Sequence, residues 1–179
     1  MVNIFKNDSK IKLLTFGLLI ILISTLGCAE DVETVSKVSS TIANQGVIDE
    51  YNVYSSQYKI RVDAFNDAVN NWNVKLTAYN DYIKLTNDMS YFKRTSSTTQ
   101  NEISLKASEV RSAGRDVQVQ CSVFETHIND MLAFMEENKD SLMNYDSQMY
   151  MQQKSFLVEQ KTRCESIDRT VDNVINELE

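Results

Sequence analysis

The chain has 179 residues, with 18 Lys and Arg against 25 Asp and Glu, which gives a net charge of −7. It contains four glycines and no proline. Because β-sandwiches and βα-alternating enzymes need many turns, and turns depend on Gly and Pro, this composition argues against those classes and predicts an all-α fold. The acidic balance also argues against nucleic-acid binding, which requires clustered Lys and Arg.

The first 28 residues have the form of an export signal. Three lysines precede an uncharged apolar run at residues 13–26. A spanning helix needs about 20 apolar residues, so the run is too short to cross a bilayer and is typical of a secretory signal. Residues 24–28, Ser-Thr-Leu-Gly-Cys, resemble the lipobox of prokaryotic membrane lipoproteins, although Thr25 and Leu26 depart from its commonest pattern.

That resemblance implies that a signal peptide (residues 1–27) is removed and that Cys28 is lipid-modified. The mature chain would then be anchored to a prokaryotic membrane on its extracytoplasmic side. An ordinary secretory signal and an uncleaved anchor are the alternatives. Removal of residues 1–27, which carry three Lys and one Asp, changes the net charge from −7 to −9. Attachment would therefore depend on the acyl chains rather than on protein charge.

A short amphipathic stretch follows the anchor and is carried by Val32, Val35, Ser39 and Ile42. Gly46 comes directly after it and could end a helix as a left-handed C-cap. Residues 28–46 are therefore predicted to form a lipid-anchored N-terminal segment, either a stalk or a short fourth helix, before a helical domain at 47–179. The alternative is one helix that continues through Gly46 at a cost of about 1 kcal/mol.

Three long helices are predicted from apolar residues spaced alternately three and four apart, which is the heptad pattern of coiled coils. The first helix is expected to be about forty residues long, at 1.5 Å per residue. The three apolar stripes are Tyr51, Tyr54, Tyr58, Val62, Phe65, Val69, Trp72, Leu76, Tyr79 and Ile83; Ile103, Ala107, Val110, Gly114, Val117, Cys121, Phe124, Ile128, Met131 and Met135, with Leu142 as a possible extension; and Leu157, Gln160, Cys164, Ile167, Val171, Val174 and Leu178.

Two polar stretches separate the stripes. In the first, Thr99 and Glu102 have the spacing of a capping box and predict the start of the second helix. The second stretch, "ENKDSLMNYDSQ" (residues 137–148), is rich in Asn, Asp and Ser, which favour turns. We therefore expect an elongated, antiparallel, up-down-up three-helix bundle with coiled-coil-like packing.

Cys121 and Cys164 lie on the apolar stripes of the second and third helices. In an antiparallel hairpin, facing residues are equidistant from the turn, and the midpoint of this pair falls between residues 142 and 143, inside the predicted turn. The register therefore places the two sulfurs opposite each other. A disulfide is expected in an oxidising extracytoplasmic compartment. Free buried thiols and a metal site are the alternatives.

The sequence offers little for catalysis. His127, the single histidine, lies one residue off the apolar stripe, which predicts a half-exposed position. Met131 follows it by one turn, so a haem or copper ligand pair is the functional alternative. The Glu-x-x-His repeats of di-iron bundles are absent, as are a GxSxG elbow and a phosphate-binding Gly loop. We predict no enzyme and no cofactor.

Methionine and tyrosine are concentrated near the second turn, where adaptable thioethers favour protein contact. The residues of this predicted contact surface are Met143, Tyr145, Met149, Tyr150 and Met151. The alternative is that they close the end of the core. The tyrosines of the first helix could line a groove that binds a ligand or a partner helix, and the alternative for them is packing in the core. The expected function is a non-enzymatic, lipid-anchored envelope protein that contacts another protein. The alternative is a helical bundle that binds or senses a small ligand or metal.

Overall fold

The computed structural model describes residues 42–178. Within this range the chain forms α1 (Ile42–Asn87), α2 (Tyr91–Arg94), α3 (Ser97–Glu137) and α4 (Lys139–Glu177), and it contains no β-strand. The predicted all-α fold is therefore confirmed. The export signal, Cys28 and the stretch up to residue 41 lie outside the described residues.

The helix α1 continues through Gly46, so the predicted C-cap at this residue is wrong. No glycine in the described part of the chain has a positive φ, which a left-handed cap would require. A single helical glycine costs about 1 kcal/mol, and the packing of a 46-residue helix easily outweighs that cost. Ile42, the last residue of the predicted amphipathic stretch, thus lies in the first long helix.

Gly46→Ala is expected to stabilise the protein by about 0.5–1 kcal/mol, because alanine loses less backbone entropy in a helix. A Cβ atom at this position would meet nothing within 4 Å, so no steric cost opposes the gain. Chemical denaturation followed by circular dichroism measures the change. A lower free energy of unfolding in the variant would contradict a continuous helix at this position.

The helix α3 begins three residues before the expected start. Ser96 is the N-cap, and its side chain accepts a hydrogen bond from the Thr99 amide at 3.3 Å. Thr99 is already helical, while the carboxylate of Glu102 accepts the Tyr82 hydroxyl at 2.8 Å. The predicted capping box is therefore wrong, because Ser96 supplies the same cap chemistry one turn earlier.

The break between α3 and α4 occurs inside the polar stretch that predicts it, but the stretch contains more helix than expected. The helix α3 ends at Glu137 and α4 begins at Lys139, with Asn138 between them at φ −106° and ψ 20°. A second interruption follows at Asp146, where φ is −156° and ψ is 101°. The Asp146 carboxylate accepts the Met149 amide at 2.9 Å and so caps the long remainder of α4.

The three long helices pack into one bundle, in which α3 contacts both α1 and α4 while α1 and α4 touch only slightly. The predicted apolar stripes form the core. The largest fully buried side chains include Trp72, Tyr150, Phe65, Phe124, Ile83, Ile128 and Met135. None of the described helices is long and apolar enough to span a bilayer.

The helices α3 and α4 approach closely at Gly114. A Cβ atom at this position would lie 3.0 Å from both Val171 Cγ1 and Ile175 Cδ1. The absence of a side chain at Gly114 thus lets two branched residues of α4 pack directly against the α3 backbone. Cys121 follows Gly114 by seven residues and lies on the same face.

Candidate functional site

The best-defined chemical feature is the Cys121–Cys164 pair, which joins α3 to α4. The Sγ atoms are 2.01 Å apart and the Cα atoms 5.8 Å apart, so the structure places the sulfurs within bonding distance, as the predicted disulfide requires. Both side chains are buried in the bundle. The arrangement follows from the helical spacing, because each cysteine occupies an apolar position of its own helix.

An open cleft of about 470 Å³ lies beside this pair, and we call it the cysteine cleft. Polar side chains from α3 and α4 line it together with Cys121; they are Gln118, Ser122, Glu125, Glu165, Asp168 and Arg169. The Glu125 Oε1 atom lies 3.9 Å from Cys121 Sγ. The cleft therefore brings a carboxylate close to one of the sulfurs.

The surroundings of the cleft destabilise the ionised form of Glu125. Burial raises the pKa of its carboxyl group, and the nearby carboxylates of Glu165 and Asp168 raise that pKa further, while the Lys161 ammonium opposes the shift. A raised carboxyl pKa means that the ionised form is less stable in the folded protein than in the unfolded chain. Ionised Glu125 thus weakens the fold.

Glu125→Gln is expected to raise the thermal midpoint at neutral pH and to leave it unchanged below about pH 4. A carboxyl group whose pKa is raised by folding reduces stability as the pH rises through the folded-state pKa, and Gln removes that loss. Calorimetry at the two pH values measures the effect. Glu50→Gln, at an exposed residue inside α1, is the control and should show no such gain; an equal gain in both variants would contradict the assignment to the cleft.

The residues of the predicted contact surface differ in exposure, and Met149 is half-buried. Tyr150 is fully buried, Met143 and Tyr145 are half-buried against the core, and Met151 is exposed. The Tyr150 hydroxyl donates to Glu136 Oε2 at 3.2 Å, and Lys154 Nζ contacts the same oxygen at 2.6 Å. Tyr150 therefore closes the end of the core and is excluded from any contact surface.

His127 is buried at 7% exposure, so the prediction of a half-exposed position is wrong. Its Nε2 atom lies 3.0 Å from the Tyr54 carbonyl oxygen of α1, and the two rings are 5.9 Å apart. The physical reason for the difference is that α1 covers this side of α3. Met131 is also buried, and the histidine links two helices.

The tyrosines of α1 pack into the bundle. Tyr51 is buried, and the Tyr58 ring lies 5.4 Å from Phe124 and 5.9 Å from Phe156. Burial raises the pKa of the Tyr58 hydroxyl well above its usual range. These contacts match the core-packing interpretation of the tyrosine stripe rather than an open groove.

Sequence reasoning missed an exposed apolar stripe on α1, formed by Val53, Ile60 and Val74. These side chains are 54%, 64% and 66% exposed. Val53 and Ile60 are seven residues apart, and Val74 is fourteen further on, so all three occupy the same heptad position, opposite the core, with the exposed Asp67 at the intervening position. The seven-residue spacing was visible in the sequence and could have revealed this α1 outer stripe.

Comparison of the chain with protein-family models, with curated proteins and with solved structures gave no match. A functional assignment must therefore come from the geometry of the described residues and from the N-terminal sequence pattern.

Proposed function

We propose that this chain is a non-enzymatic, lipid-anchored protein of a prokaryotic cell envelope, and that its extracytoplasmic bundle presents a helical surface to a partner protein. The lipobox-like sequence that ends at Gly27-Cys28 supports the anchor. The α1 outer stripe supports the partner. An anchored chain of this kind would hold that stripe at a defined place outside the membrane.

The bundle would have the antiparallel up-down-up arrangement. Contacts between α1 and α3 support it. As the residue number of the α1 partner increases, that of the α3 partner decreases, in the pairs Tyr54–Phe134, Lys75–Glu109 and Tyr82–Glu102. Contacts between α3 and α4 follow the same rule, in the pairs Glu136–Lys154, Cys121–Cys164 and Arg111–Leu178.

The observation that carries the proposal is the exposure of the α1 outer stripe. An outward heptad position of a bundle helix is normally polar. Val53 and Val74 are 21 residues apart, which corresponds to about 30 Å along a helix. Asp67 occupies the same heptad position between Ile60 and Val74. A partner helix along this stripe would therefore need a polar or basic residue opposite Asp67 and apolar residues on either side of it.

The charge around the stripe defines the partner further. Exposed carboxylates of α1 lie at Asp49, Glu50, Asp63 and Asp67, and the exposed cations Lys59 and Arg61 flank Ile60. Complementary charge favours association and selects among partners. We therefore expect the partner helix to carry charges of both signs beside its apolar face, with Lys or Arg opposite the carboxylates and Asp or Glu opposite Lys59 and Arg61.

Site-specific photo-cross-linking in native membranes tests the partner. With a photoreactive side chain at position 53, we expect one cross-linked protein, and we expect Ile60→Asp to abolish the adduct without lowering the thermal midpoint, since Ile60 is exposed. A photoreactive side chain at Val119, an exposed apolar residue of α3, is the matched control. Absence of an adduct, an adduct that survives Ile60→Asp, or an equal adduct from position 119 would contradict the proposal.

Mass spectrometry of the protein extracted from membranes tests the anchor. The wild-type protein is expected to begin at Cys28 and to carry additional acyl mass. Cys28→Ser should keep residues 1–27 and gain no acyl mass, because the lipid-accepting sulfur is gone. A wild-type chain that begins at Met1 without added mass would contradict the lipoprotein assignment.

A further inference from the structure

Three potential metal ligands converge at the cysteine cleft. The Sγ atoms of Cys121 and Cys164 and one carboxylate oxygen of Glu125 all lie within 4.8 Å of one another. Cys121 and Glu125 are one turn apart on the same face of α3, and Cys164 comes from α4. Two soft sulfurs and one carboxylate oxygen form a donor set that suits Zn²⁺.

The geometry points to a redox-controlled metal site: when the Cys121–Cys164 disulfide is reduced, the two thiolates and Glu125 bind one thiophilic divalent cation of the Zn²⁺ class. A water molecule, or a carboxylate of Glu165 or Asp168, would complete a tetrahedral coordination sphere. This inference is independent of the proposed partner surface and of the lipid anchor.

The backbone spacing suits both states of the cysteine pair. Two thiolates on one tetrahedral Zn²⁺, at Zn–S distances of about 2.3 Å, are about 3.8 Å apart. Cys121 and Cys164 have Cα atoms 5.8 Å apart. Rotation about the two Cα–Cβ bonds can therefore bring the sulfurs to metal-binding positions without moving either helix.

The electrostatics of the cleft favour a cation. Glu125, Glu165 and Asp168 place three carboxylates around the same opening, and their mutual repulsion helps to raise the pKa of Glu125. A bound dication would relieve that repulsion. Arg169 also lines the cleft, where its Nε atom donates to the Glu165 carbonyl oxygen of its own helix at 3.2 Å.

Reduction of the Cys121–Cys164 disulfide requires a two-electron reductant, and a dithiol can supply the electrons. The reductant supplies two electrons and two protons, its own sulfurs join in a disulfide, and the Cys121–Cys164 bond is replaced by two thiols. Cation binding then forms two sulfur–metal bonds and releases the two thiol protons to solvent. Reoxidation by a disulfide oxidant transfers the two electrons to that oxidant, which takes up two protons from solvent and leaves as two thiols, while the Cys121–Cys164 bond re-forms and the cation is released. Access is available because Cys121 lines the open cleft.

Cobalt titration of the full chain, purified in detergent, tests the site. The protein is reduced with a dithiol, freed of reductant without oxygen, and titrated with Co²⁺ and then Zn²⁺. We expect one Co²⁺ per chain with a thiolate-to-cobalt charge-transfer band, displacement by Zn²⁺, and no band in the oxidised protein. Cys28→Ser should behave identically, which would exclude the third cysteine as a ligand.

Glu125→Gln separates this site from incidental thiol binding. Even residues that only orient metal ligands change affinity by about 10–100-fold, so loss of Glu125 as a ligand should weaken Co²⁺ binding at least about tenfold. Glu137→Gln, the exposed control on α3, should bind like the wild type. Equal binding by Glu125→Gln, equal binding by oxidised protein, or absence of the band in reduced protein would overturn the inference.

If reduction partly unfolds the bundle, circular dichroism provides a second test of metal binding. Zn²⁺ would then be expected to restore helical signal and to raise the thermal midpoint of the reduced wild-type protein, because binding only to the folded state stabilises it. A reduced protein whose helical signal and midpoint do not respond to Zn²⁺ would contradict the site.

Discussion

Cys121→Ser/Cys164→Ser is expected to lower the free energy of unfolding by about 4 kcal/mol on the chain-entropy model. The disulfide closes a loop with a sequence separation of 43 residues, which restricts the unfolded chain far more than the folded one. Serine keeps the side-chain size close to that of cysteine, so cavity formation adds little. Urea denaturation under non-reducing conditions, followed by circular dichroism, measures the loss.

The wild-type protein with a reductant, in the presence of a metal chelator, should lose a similar amount, whereas Cys28→Ser should match the untreated wild type. If the wild-type midpoint does not change when reductant is added, the disulfide does not contribute to stability in solution. The chelator matters because the proposed metal site would partly replace the constraint that reduction removes.

The link between α3 and α4 is where a covalent constraint is expected to matter most. The helix α1 packs extensively on α3, but α4 contacts α1 only slightly and is held mainly through α3. The close approach at Gly114 and the cysteine pair both lie on this α3–α4 interface. Loss of the disulfide should therefore loosen α4 before it affects α1, which hydrogen exchange of the two helices can resolve.

The sequence predicted the features of the fold that depend on periodicity. Apolar residues at three- and four-residue spacing identify the buried faces of long helices, and the stripes containing Trp72, Ile128 and Val171 are buried in the structure. The proximity of Cys121 and Cys164 was also predicted, from the assumption of an antiparallel hairpin in which facing residues are equidistant from the turn. Both predictions use only the spacing of residues along the sequence.

Helix ends were less predictable because several residues can serve as caps. Ser96 and Thr99 have the same capping chemistry, and the short helix α2 directly before them favours the earlier residue. Gly46 is compatible with a C-cap or with a helix interior, and the choice depends on packing along the whole of α1. Local sequence does not contain that information.

Which residues form the site depends on how each helix is rotated about its own axis. The spacing of residues within one helix does not determine that rotation. His127 lies beside the apolar stripe of α3 and is buried only because α1 covers it, and Tyr150 is buried against the end of the bundle. Glu125 could have been linked to Cys121 by its one-turn spacing. The contribution of Glu165 and Asp168 to the cysteine cleft requires the orientation of α4 as well.

Trp72→Ala is expected to lower the free energy of unfolding by about 3–5 kcal/mol, the usual range for deleting a buried aromatic side chain. Trp72 has 0% exposure and is the largest of the fully buried side chains. Its removal from α1 would leave a cavity that the surrounding helices can fill only in part. Because Trp72 is the single tryptophan, circular dichroism rather than tryptophan fluorescence must follow the unfolding.

Trp72→Phe separates lost volume from the indole N–H group. The Nε1 atom of Trp72 is buried without a hydrogen-bond partner among the described residues. Phenylalanine keeps most of the ring packing and removes this unpaired donor, so its cost should be well below that of Trp72→Ala. As a control, Phe92→Ala removes an aromatic ring that is 84% exposed and should change the stability by less than about 0.5 kcal/mol. If Trp72→Phe costs as much as Trp72→Ala, the indole N–H must have a partner in solution, and the packing around α1 must differ from this arrangement.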